Sequence, residues 1–196
     1  MSKSTKIVVF SSLFLISSII HAKDLEASTI EVAGNIGLSI ASLETSSSGF
    51  PDSNTDKQAA SFSGISYFQK NIGVGLSFDY DHTETETAGL TNEITSNMIG
   101  PIILFNISTG EKTSVKLHGA AIYSWAEQVD STFGNTVMDG FGWRIGGQLS
   151  YFINDRVSLN TGLSYASIEL KDDVFDETFN TKGLAIGAGL SIYLGN

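Results

Sequence analysis

Hydrolytic chemistry needs a nucleophile, a base within hydrogen-bond reach of it, and a group that orients the base. Past residue 22 the sequence offers two histidines as bases, His82 and His118, and the chain has no cysteine to act as a thiol nucleophile. His118 is followed by Gly119-Ala120, which breaks the His-x-Ser spacing of a His–Ser hydrolase pair. His82 stands beside Asp81 and Glu84 among threonines and reads as a solvated residue. We therefore expect no catalytic residues, no enzyme activity and no cofactor. The absence of cysteine also removes disulfides and thiolate metal sites.

Two other groups of polar residues stand out. Glu84 and Glu86 fall in one predicted loop, and Asp172, Asp173, Asp176 and Glu177 in another. Carboxylate oxygens suit hard divalent cations, but no glycine marks the sharp turn of a calcium loop. No metal site is predicted, and these loops are candidates for interaction only. The second group is Glu31, Asn35, Asp79, Lys116, His118, Arg144, Gln148 and Asn160. These share the polar face of the pattern described next, and a buried charge there must find a partner.

The elements that must position these residues are strands. Apolar and small or polar residues alternate with period two over most of the chain, which is the strand signal. Clean examples are Ile30–Ile40, Ile72–Tyr80, Val115–Trp125, Phe141–Tyr151, Val157–Tyr165 and Gly183–Leu194. Two less regular strands are expected near residues 59–68 and 94–107, the second with a bulge or irregular edge at Gly100-Pro101. Three connections are short: Gln69–Asn71, Ser108–Thr113 and Phe152–Arg156. Four are longer: Glu44–Asp56, Thr83–Asn92, Ala126–Met138 and Asp172–Asn180. The prediction is all-β: an eight-stranded antiparallel transmembrane β-barrel with short periplasmic turns and longer extracellular loops.

Composition agrees with one exported domain. The chain has 196 residues, a net charge of −10 and no basic stretch, so nucleic acid is excluded as a partner. Residues 1–22 read as a signal peptide, with Lys3 and Lys6 ahead of an apolar stretch of about 14 residues, short of the ~20 that cross a bilayer. Cleavage is placed after Ala22, with Ala27 as the alternative, leaving residues 23–196 as the barrel domain. A soluble lipocalin-like barrel would turn the apolar face inward, but its outer surface would then be mostly Gly and Ser and short of solubilising charge. A membrane barrel turns the apolar face to lipid. The aromatics Phe68, Tyr80, Tyr123, Trp125, Tyr151, Phe152, Tyr165 and Tyr193 lie near strand ends, as an interfacial girdle would.

The segment Gly146-Gly147-Gln148-Leu149-Ser150-Tyr151-Phe152-Ile153-Asn154-Asp155-Arg156-Val157-Ser158-Leu159, together with Gly183–Leu194, resembles the outer-membrane β-barrel domain family. Its small members include barrels of the OmpX/Ail type. Such barrels commonly end in an aromatic residue read by the assembly machinery. Here Tyr193 is the last aromatic, and alternation places it on the inward face. The resemblance implies a bacterial outer-membrane location, with membrane lipid, lipopolysaccharide and the barrel-assembly machinery as partners. The expected role is structural or surface interaction: membrane integrity, or adhesion to an extracellular ligand, with the lumen closed by polar side chains. A narrow ion or solute conduit and a lipid-modifying enzyme are the alternatives.

Overall fold

A computed structural model describes residues 24–42, 54–87, 90–130, 134–172 and 178–195. The proposed signal segment with the cleavage candidate Ala22, residues Asp173, Asp176 and Glu177, and the side chains of Glu86 and Asp172 lie outside what it describes. Eight strands follow one another: β1 (Ile30–Ser42), β2 (Asn54–Gln69), β3 (Ile72–Thr87), β4 (Leu90–Gly110), β5 (Thr113–Asp130), β6 (Gly134–Asn154), β7 (Val157–Asp172) and β8 (Thr178–Leu194). Each pairs antiparallel with its sequence neighbour. The β1–β8 pairing, from Ile30↔Leu194 to Ser42↔Lys182, closes the barrel. The β1–β2 ladder is shorter, running from Ile30↔Ser66 to Gly37↔Ala59.

The apolar face points outward. Ile30, Val32, Phe62, Leu76, Trp143, Leu163, Ile186 and Leu190 are between 46% and 61% exposed. No water-soluble sheet exposes so continuous a band, and the lipocalin-like alternative is set aside. The band has a definite height. On β3 the outward series Ile72, Val74, Leu76, Phe78, Tyr80 gives way to His82 and Glu84. On β8 the series from Leu194 to Leu184 gives way to Lys182. That is the ~10 residues per strand a tilted crossing requires. Tyr123 packs on Phe141 at 5.1 Å, and Trp143 on Tyr165 at 5.7 Å, forming part of the girdle at the outer boundary. Among the described residues no helix is long and apolar enough to cross a membrane.

The three short turns share one design. Each spans two residues, Lys70-Asn71, Glu111-Lys112 or Asp155-Arg156, and each follows a register shift in the strand before it. Asn71 has a φ of 64°, in the left-handed region that asparagine tolerates. At the third turn Arg156 N donates to Asn154 Oδ1 at 2.8 Å.

Several expectations are corrected. Thr83–Asn92 is not a long loop: β3 continues to Thr87 and β4 resumes at Leu90. Glu84 and Glu86 therefore sit in a strand. Ala126–Met138 shortens likewise, since β5 reaches Asp130 and β6 begins at Gly134. The physical reason is that alternation marks where a strand meets lipid, whereas the backbone ladder continues above the membrane with polar side chains on the outside. At 21 residues, β4 and β6 rise roughly 50 Å along a tilted barrel against an apolar band of ~25 Å. Gly100-Pro101 is neither a bulge nor an edge. β4 keeps one register across it (Ile99↔Tyr123, Ile102↔Ala120), and only the two intervening pairings with β5 are missing. Pro101 has no N–H to offer that ladder. Phe152 and Tyr193 leave the girdle: both are 3% exposed inside the barrel, 5.2 Å apart.

Candidate functional site

The lumen is the place where charged side chains converge. Alternation aims Glu31, Asn35, Asp79, Lys116, His118, Arg144, Gln148 and Asn160 inward, and the closed sheet brings them together from five strands. The four charged residues form two ion pairs. Arg144 pairs with Asp79 at 2.5 Å, and Lys116 pairs with Glu31.

The Glu31–Lys116 pair lies nearer the short-turn end and is sealed, with Glu31 1% and Lys116 0% exposed. The Glu31 carboxylate also accepts from Tyr67 Oη at 2.7 Å and Ser191 Oγ at 2.6 Å. Lys116 Nζ donates to Tyr193 Oη at 2.6 Å, and that hydroxyl lies 3.0 Å from Ser158 Oγ. The Asn160 amide joins the same net, 3.0 Å from Ser158 Oγ and 2.7 Å from Ser191 Oγ, with Gln148 Nε2 at 3.1 Å. A charge pair in low dielectric is tolerated when further hydrogen bonds support it, and here both Glu31 oxygens and Lys116 Nζ have them.

The second pair is less completely met. Arg144 Nη2 donates to Ser77 Oγ at 3.1 Å, and Ser77 Oγ donates to the Gly100 carbonyl at 3.4 Å. Asp79 Oδ2 and Arg144 Nε are buried without a hydrogen-bond partner among the described residues. His118 fits over Gly146, where a Cβ would stand 2.5 Å from its Nε2. Asn35 faces the lumen opposite Gly189. His82 faces outward at the top of the apolar band, 3.0 Å from Thr95 Oγ1. The two histidines therefore belong to different faces of the wall. Among the described residues no three His, Asp or Glu side chains converge to hold a metal ion. Glu84 is exposed on the outside of β3.

Sequence reasoning missed important members of the lumen. Tyr67, fully buried, alternates with the lipid-facing Phe62 and Phe68, and that parity alone assigns it inward. Ser158 and Ser191 carry no signal beyond their parity. The lumen is also less polar than expected. Ile65, Ile102, Leu104 and Ile122 pack with Tyr67, Phe152 and Tyr193 in one apolar cluster, and Ala126, Met138, Ile168 and Leu170 form a second.

The short-turn mouth has a floor made by residues that precede β1. Leu25 is 2% exposed and enters the first apolar cluster. Asp24 pairs with Lys70 at 2.6 Å and accepts from Asn71 Nδ2 and Ser108 Oγ, both at 2.9 Å. Hydrogen bonds from Asn71 and Lys70 lower the Asp24 carboxyl from its ordinary 3.8 to about 2. A depressed carboxyl favours the folded state above its unfolded value and loses that advantage as pH falls through its folded one. Acidification from pH 4 to pH 2 is therefore expected to lower the thermal unfolding temperature of detergent-solubilised barrel by an increment that Asp24→Asn abolishes. An equal drop in both proteins would show that Asp24 is not the group responsible.

A closed, outward-apolar, eight-stranded ring with a salt-bridged interior defines a transmembrane β-barrel. The chain belongs to the outer membrane protein beta-barrel domain family, whose model matches residues 10–196. Its fold is similar to that of the outer membrane protein OprG from Pseudomonas aeruginosa: TM-score 0.58, 11% identity, covering 87% of this chain and 98% of that one. It is also similar to Ail, the attachment invasion locus protein of Yersinia pestis (TM-score 0.56, 13% identity, 87% and 100% covered). AlkL, an outer membrane protein solved in DMPC lipid bilayers, matches at TM-score 0.53 and 10% identity over 100% of this chain and 98% of that one. No curated protein matches the sequence.

Proposed function

We propose that this is a closed bacterial outer-membrane barrel whose work is done at its outer surface, in adhesion or membrane integrity, and neither through its lumen nor by catalysis. The observation that carries this reading is the Glu31–Lys116 net with the Leu25 floor beneath it. Together they place a layer of buried side chains across the short-turn end of the lumen. Eight strands enclose space for side chains only, so an aqueous path would require this net to come apart. The strands that rise above the apolar band, β3 to β6, carry the outer surface, with Glu84 exposed on it, and the acidic segment around Asp173, Asp176 and Glu177 links β7 to β8 in sequence. Its partners on this reading are outer-membrane lipid, lipopolysaccharide and an extracellular ligand, with the barrel-assembly machinery during biogenesis.

Planar-bilayer recording tests the closed lumen. Purified, refolded protein is expected to give no steady large conductance, and steady large channels would overturn the reading in favour of a conduit. Deleting segment 173–177 is expected to weaken attachment of expressing cells to a surface ligand while leaving the heat-dependent gel shift of the barrel intact. Unchanged attachment would remove that segment from the interaction surface.

A further inference from the structure

We infer that export processing cuts this chain between Ala22 and Lys23, not after Ala27, because residues 24–29 are a working part of the barrel: the floor of its periplasmic mouth. The sequence places the cut after Ala22 and keeps Ala27 as the alternative, since each is a small residue following the apolar segment. The geometry separates them.

Residues 24–29 are tied to two turns at once. Leu25 N donates to Asn71 Oδ1 at 2.9 Å, and Asn71 N donates back to the Leu25 carbonyl at 2.8 Å. Asn71 also receives Asn106, backbone to backbone at 2.8 Å and side chain to side chain at 3.0 Å. One asparagine thus clasps the leading segment, the β2–β3 turn and β4 together. Asp24 adds Lys70 and, through Ser108, the strand end before the next turn. The chain then reverses at Ser28, whose φ of 72° lies in the left-handed region, and Ser28 N donates to the Tyr67 carbonyl at 2.7 Å. Thr29 continues the ladder by accepting from Tyr67 N at 2.9 Å.

A cut after Ala27 would remove Asp24 and Leu25. Leu25 would leave a void in the apolar cluster that holds Tyr67 and Phe152. Asn71 would lose its side-chain and backbone partners in the segment, and Lys70 its carboxylate. The new terminus would put an ammonium on Ser28 in the middle of the reversal. A cut after Ala22 leaves Lys23 ahead of the first anchored residue and every one of these contacts in place.

The test is amino-terminal sequencing of the protein purified from outer membranes, paired with intact mass. The expected reading is Lys23-Asp24-Leu25-Glu26. A reading of Ser28-Thr29-Ile30-Glu31, or any start other than Lys23, overturns the assignment. A second variant addresses the floor itself. Leu25→Asp is processed at the same bond but places a charge in the apolar cluster. Its folded band is expected to convert to the unfolded one at a lower temperature than wild type on unboiled gels. An unchanged conversion temperature would show that the segment is a passive leader and would overturn its role as a floor.

Discussion

Replacing Lys116 by methionine is expected to destabilise the barrel by about 3 kcal/mol, the lower end of what an orphaned buried charge costs. Glu31 would keep Tyr67 and Ser191 as donors, which moderates the loss, but its charge would have no counterion and almost no access to water. Glu31→Gln combined with Lys116→Met is expected to recover most of the loss. It removes the charge while leaving the Gln carbonyl to accept from Tyr67 or Ser191, and an apolar stem fills the Lys116 position. Urea unfolding of refolded protein in detergent, read by the gel shift, measures both. If Lys116→Met were as stable as wild type, the pair would have to be solvated, and the closed lumen would fail with it. The thermodynamic sense of the pair is specificity more than strength: two charges that can meet only in one register penalise a slipped β1 or β5.

A comparably large effect is expected from a single methyl group. Gly100→Ala would set a Cβ 1.7 Å from the Ala121 carbonyl oxygen, a separation that can be relieved only by moving β4 and β5 apart by more than an ångström. Both strands are anchored on either side of this point, and the β4–β5 ladder already lacks two pairings there. Within lipid no water replaces the bonds that further separation would break. A cost of about 3 kcal/mol is expected, at the upper end of ordinary overpacking. It should appear as a reduced yield of the folded band at a fixed refolding temperature. Gly64→Ala is the matched control. Gly64 faces the lipid with no heavy atom within 4 Å of an added Cβ, so the same chemical change should leave the yield unaltered. Equal yields from the two variants would mean that the β4–β5 seam yields freely.

Much of this molecule is legible in its residue pattern, for a physical reason. A strand in a narrow membrane barrel has lipid on one side and crowded side chains on the other, so its alternation is stricter than that of a soluble sheet. That strictness identified the outward face of Ile72–Tyr80 and the inward face of Glu31, Asp79, Lys116 and Arg144. It also carried enough information to turn Tyr67, Phe152 and Tyr193 inward. For Phe152, its place beside a turn suggested a girdle, but its parity with Ser150 points to the lumen. Above the membrane the pattern loses its cause. Thr83–Thr87 and Glu127–Asp130 alternate in nothing that hydropathy registers, yet their backbones remain in the ladder.

From the sequence alone followed the class of the protein, its eight strands, the end at which the turns are short, and the set of charges sharing its interior. Which charge meets which was decided only by the closed ring. Arg144 and Asp79 are 65 positions apart in the chain and Lys116 and Glu31 are 85 apart, and they meet across a lumen whose registers no local pattern encodes. The floor was invisible for the same reason. Asp24 and Leu25 belong to no periodic element, and their value comes from Asn71, Lys70 and Ser108, which only the folded chain brings beneath them.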